Sequence, residues 1–124
     1  MDRSERELMA ELRQDLAIEA VEQLEDIEAR LVQYEKNPDE DFIRLFRRIL
    51  HSIKGSAQAA ELDDLEKVIH MWENKLNEGY TNIGEFVTLQ LDIIETVISV
   101  LKTLEDQSNK SLLFQKIIDQ IRKI

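Results

Sequence analysis

The sequence contains no cysteine, one proline and three glycines. Without cysteine, the chain cannot form disulfides, thiolate zinc sites, iron–sulfur clusters or a cysteine nucleophile, and a reducing, cytoplasmic compartment is the expected setting. An all-β fold needs a turn every ~8–12 residues, and so few glycines and prolines do not supply them. With 124 residues, 43% of them hydrophobic and 34% charged, the composition is typical of a single α-helical domain with its own core.

The sequence also lacks an uncharged apolar run of the ~18–20 residues that a membrane span needs. The first residues are charged and do not resemble a signal peptide, so no membrane insertion is expected. The formal net charge is −10, from 16 basic and 26 acidic residues. Because such a surface repels nucleic acid and anionic lipid, neither is an expected partner.

Apolar residues recur at steps of three and four, which predicts helices. Ser4 and Glu7 form a capping-box pattern at the start of the first helix. The second helix is predicted to start with Asn37 as its cap and Pro38 in the first helical position. The first helix is the longest, so its first turns are expected to project or bend. The predicted helices cover about residues 4–35, 38–60, 62–77, 82–104 and 111–123.

The fourth helix is apolar over a wide arc, which predicts that it packs on two sides. Short connections favour antiparallel neighbours. We therefore predict an all-α fold over residues 1–124, an antiparallel four-helix bundle with an additional C-terminal fifth helix that covers the second face of the fourth. The predicted buried stripe of the second helix consists of Phe42, Phe46, Ile49, Ile53, Ala57 and Ala60.

The second helix is basic although the protein is acidic, because residues 42–60 contain no acidic side chain. On a helical wheel at ~100° per residue, four cations lie within about 60° of His51, opposite most of the predicted stripe. Gly55 lies about 40° from His51, where a side chain would crowd the imidazole or a partner's approach. The four cations are Arg44, Arg47, Arg48 and Lys54.

Two interpretations of this basic patch remain open from spacing alone. His51 is either a solvated surface histidine or an exposed nucleophile whose product is an anion. A neutral imidazole attacks phosphorus through a ring nitrogen, and neighbouring cations stabilise the phosphorylated product.

The string "FRRILHSIKGSA", residues 46–57, resembles the signature of histidine phosphotransfer (HPt) domains, in which lysine-glycine and a small residue follow the histidine. Its form is most like the N-terminal phosphotransfer domain of chemotaxis-type histidine kinases. The resemblance continues through "IHMWENKLNEG", residues 69–79. One departure is Glu61, which stands where the family usually has a glycine and predicts a differently closed turn after the second helix.

The resemblance implies a role for each matching residue. His51 matches the phosphoacceptor, Lys54 the lysine that steadies the phosphoryl group, and Gly55 the glycine beside it. Glu73 matches the carboxylate that orients the acceptor, and His70 the second histidine of the network. From the wheel, Glu73 lies at the border of the core, from where it could accept the Nδ1 proton and leave Nε2 free.

The implied function is that of a phosphorelay carrier. His51 would accept a phosphoryl group from a histidine kinase catalytic domain and donate it to an aspartate of a response-regulator receiver domain. The receiver is expected to dock over the exposed face of the second helix, on Leu50, Arg44, Arg47, Arg48 and Gly55.

The sequence has no Gly-rich phosphate loop, so the domain alone is not expected to be a catalyst that binds and uses ATP. ATP and Mg²⁺ would belong to partner domains, and no cofactor or metal is expected on this chain. The alternative is a helical protein-interaction module with the same fold and no phosphotransfer. A free-standing carrier and a part of a larger kinase both remain open, as does the oligomeric state.

Overall fold

The structure, a computed structural model, describes residues 2–104 and 110–124. Within them the chain forms five α-helices and no strand, so the predicted all-α fold, a four-helix bundle with a C-terminal helix, is confirmed. The helices are α1 (Arg3–Lys36), α2 (Glu40–Ala59), α3 (Asp63–Asn77), α4 (Ile83–Lys102) and α5 (Lys110–Arg122).

Helix α1 has 34 residues and is therefore about 50 Å long at ~1.5 Å per residue. Leu16 is its first buried residue, whereas Leu8 and Leu12 are exposed, so the first turns extend beyond the core as expected. The capping residue is Asp2, whose carboxylate accepts the Glu5 N–H at 2.9 Å. The predicted cap at Ser4 is wrong, because Asp2 caps the helix two residues earlier and Ser4 lies inside it.

The start of α2 also differs from the prediction. Asp39 is the cap, and its carboxylate accepts the Asp41 N–H at 2.9 Å. Asn37 instead ends α1, with its N–H donating to the Gln33 carbonyl. A residue before proline is disfavoured in the helical region, so Pro38 places the boundary here and α2 begins after it.

The bundle is antiparallel where α2 meets α3. Arg47 contacts Asn77 near one end of the pair, and Lys54 contacts His70 nearer the other, so residue numbers rise on α2 as they fall on α3. Helix α1 packs against α2 and α4, and α5 packs against both α3 and α4. The fifth helix thus covers the second face of α4, as predicted, and a face of α3 as well.

Four residues of the predicted α2 stripe are buried, namely Phe46, Ile53, Ala57 and Ala60, but the structure differs from the prediction at three other positions. Leu50 is fully buried, while Phe42 and Ile49 are only half-buried. The difference arises because α2 packs against both α1 and α3, and two neighbours decide which part of a wide apolar arc faces inward. The buried residues of α2 are Phe46, Leu50, Ile53 and Ala57.

One polar pair lies inside the core between α3 and α4. The indole Nε1–H of Trp72 donates to Oε1 of Gln90 at 2.6 Å, and both side chains are fully buried. A buried indole usually finds such a partner, because an unpaired N–H away from water is costly.

The turn between α2 and α3 has the hydrogen bonds of a Schellman motif. The Leu62 N–H donates to the Ala57 carbonyl at 2.9 Å, and the Glu61 N–H to the Gln58 carbonyl at 3.1 Å. Glu61 has a φ of 56°, in the left-handed region that normally favours glycine. The prediction of a differently closed turn is therefore wrong, because these bonds hold a glutamate in the conformation.

Candidate functional site

The candidate site lies on the surface where α2 meets α3. The His51 side chain is 70% exposed, because the neighbouring Leu50 and Ile53 take the inward-facing positions of the helix. Its Nδ1 lies 3.2 Å from Oε1 of Glu73 on α3. The structure thus brings together the two residues that the sequence pairs, with the imidazole open to solvent.

Glu73 joins two cross-helix contacts through its two oxygens. Its Oε2 lies 3.0 Å from Nζ of Lys54, and the Glu73 and Lys54 side chains are only 17% and 21% exposed. Burial raises the pKa of Glu73, but hydrogen bonds from Lys54 and His51 outweigh it, and the pKa lies below its usual value.

The charge on Glu73 fixes the tautomer of His51. A carboxylate only accepts hydrogen bonds, so the Nδ1 of a neutral His51 must carry the proton and donate it to Oε1. The Nε2 lone pair then points away from this bond and is available for attack on an electrophile. The arrangement is that of an oriented nucleophilic imidazole.

His70 joins the site through Lys54. Its Nδ1 lies 3.5 Å from the Lys54 ammonium, and its Nε2 lies 3.4 Å from Nδ2 of Asn74. Because an ammonium only donates, Nδ1 of His70 accepts this contact in the neutral ring. His70 therefore touches the lysine that pairs with Glu73, and its link to His51 is indirect.

A further contact lies one turn before His51. The Arg47 guanidinium donates from Nη1 to Oδ1 of Asn77 at 2.6 Å. Together with His51–Glu73 and Lys54–His70 it makes three successive cross-helix pairs, which we call the polar ladder. Sequence reasoning missed Asn77, although an antiparallel register with His51 opposite Glu73 places it beside Arg47.

The remaining predicted residues lie outside the polar ladder. Arg44 pairs with Asp41 on its own helix, and Arg48 is exposed. Leu50 is 0% exposed, so the prediction that it contacts a docked receiver is wrong. Gly55 is exposed, and an added Cβ would meet nothing within 4 Å, so the predicted crowding of the imidazole by a side chain there is also wrong.

A helical bundle that displays an imidazole oriented by a carboxylate of the adjacent helix is the arrangement of a histidine phosphotransfer domain. The Hpt domain family matches residues 11–123, and the chain belongs to this family. At the level of the family, it is a phosphorelay carrier of two-component signalling, in which such domains interact with histidine kinases and response regulators.

The chain is similar to the sensor histidine kinase CheAY of Helicobacter pylori, with 31% identity over 97 residues. The match covers 77% of this chain and 12% of that protein, so the chain spans a small part of its relative's length. This relative fits the predicted likeness to chemotaxis-type kinases. No solved structure matches the chain.

Within residues 2–104 and 110–124, no helix combines the length and the apolar character that crossing a bilayer requires.

Proposed function

We propose that His51 accepts a phosphoryl group from a histidine kinase catalytic domain and donates it to an aspartate of a response-regulator receiver domain. The observation that carries this proposal is the exposed imidazole with its Nδ1 held 3.2 Å from Glu73. The similarity to a sensor histidine kinase supports a kinase as the source of the phosphoryl group.

The proposed relay has two displacement steps. The Nε2 lone pair of His51 attacks the γ-phosphorus of ATP held by the kinase, a P–N bond forms, and the P–O bond to ADP breaks. The Nδ1 proton stays on the ring, which becomes cationic, and Glu73 stabilises that charge. A receiver aspartate oxygen then attacks phosphorus, and the P–N bond breaks to return neutral His51.

Lys54 is proposed to steady both Glu73 and the phosphoryl group. An ammonium has three N–H donors. The Lys54 ammonium lies 3.0 Å from Oε2 of Glu73 as an ion pair and 3.5 Å from Nδ1 of His70, and it keeps a donor for a phosphoryl oxygen. His70 holds the ammonium in this position.

The proposed docking surface for the receiver is the exposed face of α2 around His51. It includes Arg44, Arg47, Arg48 and Gly55, and it no longer includes Leu50. A cationic surface on a chain of net charge −10 complements partners that carry an acceptor carboxylate or a phosphate. ATP and Mg²⁺ are proposed to bind to the partner domains, and the cytoplasm is the proposed compartment.

The test is incubation of the full chain with an ATP-fuelled histidine kinase core and γ-labelled ATP. Wild type should gain an acid-labile, base-stable label, and His51→Gln should gain none. His70→Gln changes the other of the two histidines and should still be labelled. Addition of a receiver domain should move the label to the receiver, but not to a receiver variant without its aspartate.

Two outcomes would contradict the proposal. Label that survives His51→Gln would show that the phosphoacceptor lies elsewhere. A wild-type chain that gains no label from the kinase core would favour the interaction module without phosphotransfer.

A further inference from the structure

The two cations on either side of His51 in the polar ladder differ in charge compensation. Lys54 is ion-paired with the Glu73 carboxylate at 3.0 Å, so its charge is largely balanced. Arg47 is held by Asn77, a neutral amide, at 2.6 Å. Among the residues that the structure describes, no carboxylate forms an ion pair with Arg47.

Arg47 also has donors to spare. A guanidinium carries five N–H groups in a planar fork, and the bond to Asn77 uses one of them. Arg47 and His51 are four residues apart on α2, so their Cβ atoms lie one helical turn apart on the same face, roughly 6 Å from each other. A group on His51 Nε2 is therefore within the reach of the arginine side chain.

A phosphoryl group on His51 would carry close to two negative charges beside the negative charge of Glu73. Lys54 offsets Glu73, and the cationic His51 ring offsets one of the phosphoryl charges, which leaves the other to be balanced. We propose that Arg47, positioned by Asn77, binds the phosphoryl group carried on His51. This inference rests on the proposed function, because it gives the phosphorylated state of the same histidine a second cation.

A purely structural Arg47–Asn77 pair would behave differently. Asn77 is the last residue of α3, and a cation there interacts favourably with the helix dipole whatever happens at His51. Asn77→Asp separates the two roles. An aspartate would strengthen a structural pair, but it would neutralise Arg47 and weaken its hold on a phosphoryl group.

The experiment uses the full chain phosphorylated with phosphoramidate, a small donor that needs no partner protein. The P–N bond of the donor breaks, ammonia leaves, and a P–N bond to His51 forms. The pH midpoint of the ³¹P chemical shift then reports the last ionisation of the phosphoryl group. Loss of a cation ~6 Å away should raise this midpoint by about half a pH unit in Arg47→Gln.

The comparison variants make the result specific. Asn77→Asp should raise the midpoint as Arg47→Gln does, and Arg47→Lys, which keeps the charge, should restore most of the wild-type value. Arg122→Gln is the matched control, because it removes an exposed arginine from α5, which does not pack against α2. Its midpoint should equal that of wild type, and thermal melts check that every variant is folded.

The inference is overturned if Arg47→Gln and Asn77→Asp titrate like wild type. That result leaves the relay intact whenever the kinase core still labels His51. If phosphoramidate does not load the chain, the kinase core supplies the phosphoryl group for the same titration. If neither donor labels His51, the relay and the inference both fail.

Discussion

Helices α2 and α4 each have 20 residues but use them in opposite ways. Helix α4 buries nine of them, including the polar Gln90 and Thr96, because α1 and α5 pack on two of its sides. Helix α2 buries four, and the rest of its residues are half-buried or exposed. The helix that carries His51 is thus held by few core residues, and the fifth helix protects α4.

The helix with the most buried side chains, α4, is therefore a different helix from the one that carries His51, α2. In the proposed relay the imidazole meets two different partners in turn, so the helix around it has to stay uncovered. The polar ladder half-buries Arg47, Lys54 and Glu73 between α2 and α3 and leaves His51 70% exposed. Helix α3, which carries Glu73, packs against α5 and is bonded to α4 through the buried pair of Trp72 and Gln90.

The sharpest test of this difference compares one residue from each helix. Ile94 of α4 is fully buried, so Ile94→Ala should lower the free energy of unfolding by about 2–5 kcal/mol through lost burial and a cavity. Ser52 of α2 is exposed, and Ser52→Ala should change it by no more than about 0.5 kcal/mol. Urea unfolding followed by circular dichroism measures the free energy of unfolding of both variants. Similar losses in the two variants would contradict the difference between the helices.

The end of α2 should be improvable by a single change. Glu61 has a φ of 56°, so Glu61→Gly should remove a conformational penalty and raise the free energy of unfolding by about 1 kcal/mol. Gly79, with a φ of 79° after α3, is the converse control, and Gly79→Ala should lower it by about as much. A loss of stability in Glu61→Gly would mean that the glutamate side chain contributes contacts of its own.

The middle of α2 should also accept a stabilising change. Gly55 lies inside the helix, and an added Cβ meets nothing within 4 Å. Gly55→Ala should therefore raise the free energy of unfolding by about 0.5–1 kcal/mol, because alanine loses less backbone entropy than glycine. If close approach of a partner needs this glycine, labelling by the kinase core should fall in the same variant. An unfolding free energy below that of wild type would show that the space around Gly55 is filled.

The smallest expected effect is on pH dependence. The pKa of Glu73 is depressed in the folded chain despite burial, because Lys54 and His51 hydrogen-bond its charged form. Its charged form therefore adds stability above the ordinary carboxyl pKa, and this contribution is lost as pH falls through the depressed value.

Thermal melts of wild type and Glu73→Gln between about pH 7 and pH 3 measure this effect. The difference between their melting temperatures should be steady near neutral pH and shrink below about pH 4. Glu11→Gln, at an exposed carboxyl of α1, is the control for removal of a charge. A difference that grows on acidification would contradict the assigned pairing.

The existence of the helices and the pairing of His51 with Glu73 could be predicted from the sequence. Apolar spacing identifies helices directly, and the resemblance around His51 supplied its partner. Which face of α2 is buried could not be predicted in the same way. Ile49 and Leu50 are adjacent apolar residues, and only the joint packing of α1 and α3 decides that Leu50 is buried.

The predictions of the helix caps and of the turn at Glu61 were wrong for a related reason. Asp2 and Ser4 are both good caps, as are Asn37 and Asp39, and sequence alone does not rank two capping residues so close together. Glu61 was misjudged because the propensity of one residue was weighed without the two backbone bonds that close the turn. These local backbone hydrogen bonds outweigh a penalty of about 1 kcal/mol.

Trp72 has a practical consequence for all of these measurements. It is the single tryptophan of the chain, shielded from water and bonded to Gln90 in the folded state. Its emission therefore reports unfolding of the whole domain without an attached dye. Since it immediately precedes Glu73 in α3, the same intrinsic fluorophore monitors the helix that contacts the exposed imidazole of His51.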